Sequence, residues 1–318
     1  MTAFAVAALA VGWLARTRLA KLAIDQPNAR SLHTSPVPRT GGIGLLLGTA
    51  AGWMLAEPAF PLLFWFASAL VIGISLLDDL RGLSAAVRLA AHLLAATLAA
   101  VSLLGSASLL LTIGAILAIA WMCNLYNFMD GSDGLAGGMA FFGFTAYAAA
   151  AWLAGSMQFA LINVAISAAA AGFLIHNFHP ARIFLGDAGS VTIGFFAATF
   201  GLIGWLQHDW TWWFPFMVFS PFVVDASITL LRRLLAGARV WEAHRDHYYQ
   251  RLVQLGFGHR NTALMEYAMM SYCAIAGLWA MTLSETGQYS VVAATLVIFL
   301  MVVLRIERAW KTRSDPNA

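Results

Sequence analysis

"FPLLFWFASALVIGISLL" (residues 60–77) carries no charged residue and runs directly into "DDLRG" (78–82). At about 1.5 Å of rise per residue, a helix of this length approaches the ~30 Å hydrocarbon core of a bilayer. The stretch is apolar on every side. A strand of a membrane barrel would instead alternate over about ten residues. Similar segments recur at 1–15, 41–56, 86–104, 108–124, 135–154, 158–175, 189–206, 210–231, 262–283 and 288–304. With 61% hydrophobic and 10% charged residues and a mean hydropathy of +0.76, the chain lies outside the composition of soluble domains. The reading is an all-α, polytopic integral membrane protein of about eleven transmembrane helices, forming one domain over residues 1–318 within the lipid bilayer.

The basic residues orient these helices. If successive connections alternate between the two membrane faces, every Lys and Arg falls on one face. Arg16, Arg18, Lys21, Arg30 and Arg39 lie in 16–40; Arg81, Arg88, Arg182, Arg232, Arg233, Arg239, Arg245, Arg251 and Arg260 lie in later connections; Arg305, Arg308, Lys311 and Arg313 lie in the tail. The opposite connections, near 57–59, 105–107, 155–157, 207–209 and 284–287, have only Glu57, Asp209 and Glu285 as charges. The positive-inside rule then puts the N-terminus outside and the C-terminus in the cytoplasm. The net charge of +3 is a topology signal rather than a nucleic-acid footprint, so no nucleic-acid partner is expected. Arg16, Arg18 and Lys21 follow the first segment and no basic residue precedes it, the charge order of an uncleaved helix. Cys123 and Cys273 lie in apolar segments without CxxC spacing, which argues against a disulfide or zinc cluster.

The polar stretches gather on the basic face, in connections 16–40, 78–88, 124–134, 176–188 and 232–261, which are expected to form the active site. Asp78 and Asp79 are adjacent at a helix end, with Arg81 as a ready partner; paired carboxylates there are costly without a cation or donor groups. In "NLYNFMDGSDGLAGG" (124–138), helical spacing would put Asn124 with Asn127, and Asp130 with Asp133, on one face. The same residues also suit an ordinary Asx-Gly turn. Asp187 in "FLGDAGS" (184–190) either caps the following helix or serves as a Mg²⁺ ligand, since that ion takes few protein carboxylates and fills its shell with water and phosphate oxygens. His244 and His247, like His176 and His179, lack the further ligands of a zinc site; His244, Arg245, His247 and Arg251 suit phosphate better. Asp225 lies within an apolar segment, either functional or paired with a neighbouring helix. Carboxylates, a divalent cation, basic groups and Gly-rich turns on one face together suit phosphoryl transfer with a lipid reactant.

Taken in order, DD (78–79), NxxNxxDGxDGLAGG (124–138), FLGDAGS (184–190), PxPRxGG (36–42) and HRxHxYQRL (244–252) resemble the polyprenyl-phosphate N-acetylhexosamine-1-phosphate transferases of bacterial inner membranes. The resemblance implies a Mg²⁺-dependent enzyme, with Mn²⁺ as a substitute, that joins undecaprenyl phosphate to the β-phosphorus of a UDP-N-acetylhexosamine and releases UMP. By the same motifs, Asp187 would be the metal ligand. Asp78, Asp79, His244 and His247 would be catalytic, while Asn124, Asn127, Asp130, Asp133, Arg39, Arg245 and Arg251 would bind substrate. A homodimer is compatible with the family. The peptidoglycan branch resembles PTMGG and a triple histidine, whereas this chain has "PVPRTGG" (36–42) and "HRDHYYQRL" (244–252). That difference moves the expectation toward initiators of O-antigen and related cell-surface glycans, with UDP-GlcNAc, UDP-N-acetylfucosamine and UDP-N-acetylquinovosamine all open as donors. The acidic position often found shortly after the DD pair is absent, Gly82 and Ser84 standing there. The alternatives are a peptidoglycan lipid-intermediate transferase using UDP-MurNAc-pentapeptide and, from another class, an ion-coupled secondary transporter. A transporter would favour acids near the midplane and detectable repeats.

Overall fold

A computed structural model describes residues 1–27, 32–33, 35–239 and 244–314; parts of the polar connections 16–40 and 232–261 lie outside the described residues. The helices in chain order are α1 (Thr2–Arg16), α2 (Gly41–Ala56), α3 (Leu62–Arg81), α4 (Ala85–Leu104), α5 (Leu109–Phe128), α6 (Leu135–Leu153) and α7 (Met157–Asn177), followed by α8 (Gly186–Leu206), α9 (Phe214–Val218), α10 (Ser220–Leu235), α11 (Tyr248–Leu252), α12 (Gly258–Ala280) and α13 (Glu285–Ser314). A single π-helical turn, Val253–Phe257, joins α11 to α12. One feature departs from the all-α expectation. Strands β1 (Ile24–Asp25) and β2 (Val37–Pro38) pair antiparallel, Ile24 opposite Pro38.

Among the described residues, α3 to α8 and α13 are the seven helices long and apolar enough to cross a membrane, while α1 and α2 are apolar but shorter. The apolar stretch 210–231 is not one helix. Pro215 and Pro221 sit in the first turns of α9 and α10, and the chain breaks at Phe219 between them, because proline lacks the N–H a continuous helix needs and crowds the turn before it. Ser84 and Ser108 accept hydrogen bonds from Val87 N and Leu111 N, starting α4 and α5. Many outward side chains are large and apolar, among them Phe66, Leu110, Leu117, Leu296 and Leu300, the arrangement expected where lipid replaces water.

The core lies along α6 and α8, where most residues are buried. Small residues let backbones approach closely there: a Cβ on Gly194 of α8 would meet Met122 O of α5 at 2.5 Å, and one on Gly172 of α7 would meet Phe4 O of α1 at 2.5 Å. Trp53 ties α2 to α7 by donating to Ile162 O at 3.0 Å. The C-terminal ends of α3, α5, α7 and α10 gather with the N-terminal ends of α4, α6, α8 and α12 into one polar end. Residues 37–42 lie across it as a strap on the segment before α8: Phe184 N donates to Pro38 O (2.7 Å), Gly41 N to Phe184 O (2.9 Å) and Gly42 N to Leu185 O (2.8 Å).

Gly42 allows that strap to lie flat, since a Cβ there would meet Leu185 O at 2.6 Å and the backbone of Gly189. Gly42→Ala is therefore expected to destabilise the protein by about 1–3 kcal/mol, the usual cost of overpacking. Gly73→Ala, where a Cβ meets nothing within 4 Å, should leave stability unchanged or slightly higher. Thermal unfolding of the two variants in the same detergent checks the contrast.

Candidate active site

The site begins with Asp79, buried in the last turn of α3. Its Oδ1 accepts from Asp187 N (3.0 Å) and its Oδ2 from Ala188 N (2.9 Å). These are first-turn amides of α8, which lack partners within the helix and favour negative charge. Arg39 of the strap reaches the same residue, with Nη2 donating to Asp79 O at 2.9 Å and Nε 3.6 Å from Asp79 Oδ1. Strap, α3 and α8 thus meet on one carboxylate, and both of its oxygens are engaged.

That junction sets Asp78 beside Asp187. Arg88 Nη1 from α4 donates to Asp78 Oδ2 at 2.9 Å and to Asp187 Oδ2 at 3.2 Å. The other oxygen of Asp78 accepts from Leu83 N. Asn127 Nδ2 also donates to Asp187 Oδ2 (3.2 Å), and Ser190 Oγ donates to Asn127 Oδ1 (3.3 Å). Arg81, the partner expected for the acid pair, is exposed. Arg88 takes that role instead; in the sequence it stands only as a topology charge, although it lies on the first turns of the helix that follows the acid pair.

Among the described residues, no three or more His, Cys, Asp or Glu side chains are arranged to hold a metal ion. Mg²⁺ requires only one or two protein carboxylates. Asp78 Oδ2 and Asp187 Oδ2 supply two hard oxygens converging on a single cationic nitrogen, so the residues fit such an ion, with Asp79 already committed to α8. Buried Thr40 Oγ1 has no hydrogen-bond partner among the described residues, and Arg39 Nε, though 3.6 Å from Asp79 Oδ1, makes no hydrogen bond among them, so both stand as donors beside this cluster.

Residues 124–138 divide by role. Asn124 Nδ2 turns back onto Ala120 O of its own helix (2.7 Å). Helical spacing does not relate Asp130 to Asp133, because α5 ends at Phe128 and residues 129–134 turn. Burial, followed by the charges of Asp187 and Asp79, holds the half-buried Asp130 carboxyl well above the ordinary carboxylate range. Asp133 Oδ2 faces His179 Nδ1 at 2.6 Å and accepts from Ala181 N at 3.1 Å, bracing the 178–183 connection. Gly134 N donates to Asn177 Oδ1 at 3.0 Å.

The remaining candidates lie on an arm formed by 244–252. Asp225, on α10, accepts from Tyr248 N and Tyr249 N at 2.9 Å each, and its Oδ1 lies 3.1 Å from His247 Nδ1. Of the two roles open to Asp225 from the sequence, its contacts are those of a structural partner to the arm. Tyr249 Oη donates to Phe128 O (3.1 Å), and the His247 ring stacks on Phe128 at 6.2 Å, so the arm rests on the end of α5. His244 packs 4.9 Å from His247, ring to ring. Arg245 is exposed. Arg251 is drawn elsewhere, donating to Glu307 Oε1 of α13 at 3.0 Å and lying over the Trp310 ring at 5.0 Å.

Comparison with known proteins matches residues 61–205 to glycosyl transferase family 4. The chain is 28% identical to the decaprenyl-phosphate N-acetylglucosaminephosphotransferase of Mycolicibacterium smegmatis, over 96% of this chain and 87% of that protein. It is also 28% identical to the probable undecaprenyl-phosphate N-acetylglucosaminyl 1-phosphate transferase of Bacillus subtilis, over 89% and 84% respectively. The phospho-N-acetylmuramoyl-pentapeptide-transferase of Anoxybacillus flavithermus is 30% identical over only 49% of this chain and 47% of its own. These matches bear out the family resemblance that the motifs carry.

Burial, then the neighbouring His247 and Arg233, push the His244 imidazole down to about 4 from its ordinary 6.5. Its neutral form is the folded one, so its share of stability is present above pH 6.5 and is lost as pH falls through 4. The His244 ring is expected to titrate near pH 4 by NMR. His244→Asn should flatten part of the fall in unfolding temperature between pH 6.5 and 4.

Proposed function

We propose that the protein transfers N-acetylhexosamine-1-phosphate from a UDP-sugar to undecaprenyl phosphate at the cytoplasmic face of a bacterial inner membrane, initiating O-antigen or another cell-surface glycan. The observation that supports this reading best is the convergence of Asp78 and Asp187 on Arg88 Nη1, at a helix junction flanked by the donors of Arg39 and Thr40 and the His247 arm. Relatives matched over more than four fifths of their length are named for N-acetylglucosamine and a polyprenyl phosphate, which makes UDP-GlcNAc the first donor to test.

A phosphate oxygen of the acceptor forms a bond to the β-phosphorus of the donor as the bond from that phosphorus to the UMP oxygen breaks, and UMP leaves as a phosphate monoester. A Mg²⁺ ion held by Asp187, replaceable by Mn²⁺, would neutralise charge on the reacting phosphates. Asp78 would take the proton of a monoprotonated acceptor and release it to water once UMP has left. Arg88, Arg39 and Thr40 supply donors to phosphate oxygens, Arg with a planar fork suited to them. Asn127 orients Asp187, while Asp79 holds α8 in place rather than touching substrate. His247, fixed by Asp225, presents its ring beside Phe128 toward the diphosphate. The end of the bundle lets a lipid phosphate approach from the bilayer and a nucleotide from water.

Purified protein given UDP-GlcNAc should release UMP only when undecaprenyl phosphate is present, with the lipid-linked product seen by mass spectrometry. Asp187→Asn and Arg88→Ala should each lower the rate by about 10²-fold or more, as loss of a transition-state contact does. Arg81→Ala, at an exposed position, should not. Release of UMP without acceptor, or full activity in Asp187→Asn, would overturn the assignment.

A further inference from the structure

A cavity of about 450 Å³ lies between α10, α12 and α13, beneath the arm at Tyr248 and Leu252. Its walls are apolar apart from a few polar groups, chiefly Asp225, Glu266 and Arg305. Asp225 is engaged with the arm. Glu266 is not: among the described residues no hydrogen bond or ion pair reaches it, nor any reaches the exposed Arg305. A carboxylate on an apolar wall inside a bundle is costly as an anion, and either a proton or a cationic donor relieves it.

The position of the cavity narrows the occupant. α12 begins, and α13 ends, at the polar end of the bundle, so Glu266 lies roughly 12 Å below the start of α12 at the usual helical rise. α13 buries few of its residues and leaves Leu296, Leu300 and Leu304 exposed, so it is a loosely held wall on the lipid side. A ligand that engaged all of these groups would combine hydrocarbon, a cation that donates hydrogen bonds and an anion. A choline headgroup has no N–H to offer Glu266, and a glycerol headgroup has no cation. A polyprenyl phosphate would bring only negative charge to a wall that already carries Glu266 and Asp225.

We propose that this cavity binds an ethanolamine phospholipid, its ammonium on Glu266 and its phosphate on Arg305. The lipid then packs beneath Tyr248 and Leu252 and steadies the arm that carries His247. This site is separate from the carboxylate cluster and its test does not depend on the transfer reaction.

The test is native mass spectrometry of the full-length chain released from nanodiscs containing equal phosphatidylethanolamine, phosphatidylcholine and phosphatidylglycerol. The wild type should retain the ethanolamine lipid about tenfold over the other two, the scale of one charge-assisted hydrogen bond. Glu266→Gln should erase the preference over phosphatidylcholine, and Arg305→Gln should lower retention of the ethanolamine lipid. If Glu266→Gln fails to accumulate, Arg305→Gln, at an exposed position, carries the test. Equal retention of the three lipids by the wild type, an unchanged preference in either variant, or displacement of the bound lipid by equimolar undecaprenyl phosphate would overturn the proposal.

Discussion

The contact between the Asp79 carboxylate and the first amides of α8 governs the polar end of the molecule. It puts a fixed negative charge where a helix presents unpaired N–H groups, and the two needs cancel. It also fixes geometry. Because Asp78 is the residue just before Asp79 on α3 and Asp187 carries one of the bonded amides, clamping the Asp187 backbone to the Asp79 side chain brings the two remaining carboxylates together. Arg88 from α4 and Asn127 from α5 then complete a cluster to which four helices contribute.

The same device appears a second time. Asp225 accepts the first two amides of α11 much as Asp79 accepts those of α8, and it adds His247 Nδ1 to the set. A short helix of this kind has little stability of its own, since nucleation is unfavourable and few hydrogen bonds follow. Its direction therefore comes from Asp225 at its start and from the Tyr249 hydroxyl on Phe128 O. Arg251, with Glu307 and the Trp310 ring, holds its far side to α13.

Periodicity and charge placement carried much of the fold. Uninterrupted apolar runs such as 62–77 can satisfy their backbone in lipid only as helices, and the grouping of polar motifs at one end follows from the alternation of connections. What could not be read was which acid does which task. Asp78, Asp79, Asp130, Asp133, Asp187 and Asp225 look alike in a sequence, and their roles separate only through long-range partners: α8 amides for Asp79, His179 and Ala181 for Asp133, α11 amides for Asp225. Arg88 was hidden for the same reason, because a basic residue beside a membrane segment has a sufficient explanation in topology. The break at Phe219 was legible in principle, since Pro215 and Pro221 stand six apart in "PFMVFSP" (215–221), but overall hydropathy averages such a break away.

These anchors also explain why the stretch 124–134 is central although few of its side chains face Asp187. Asn127 holds Asp187, Phe128 carries the arm through its carbonyl and ring, Ser132 meets His259 of α12 at 2.8 Å, and Gly134 O accepts from Tyr267 Oη at 2.7 Å. A residue larger than glycine at 131 would collide with the Tyr249 hydroxyl, so the turn must stay narrow for the arm to close on it. The carboxylate cluster and the basic arm are thus referenced to one short piece of backbone. A displacement of that turn moves both together, which preserves their relative position better than two independent loops would, and rigid support of this kind is what alignment of two phosphates requires.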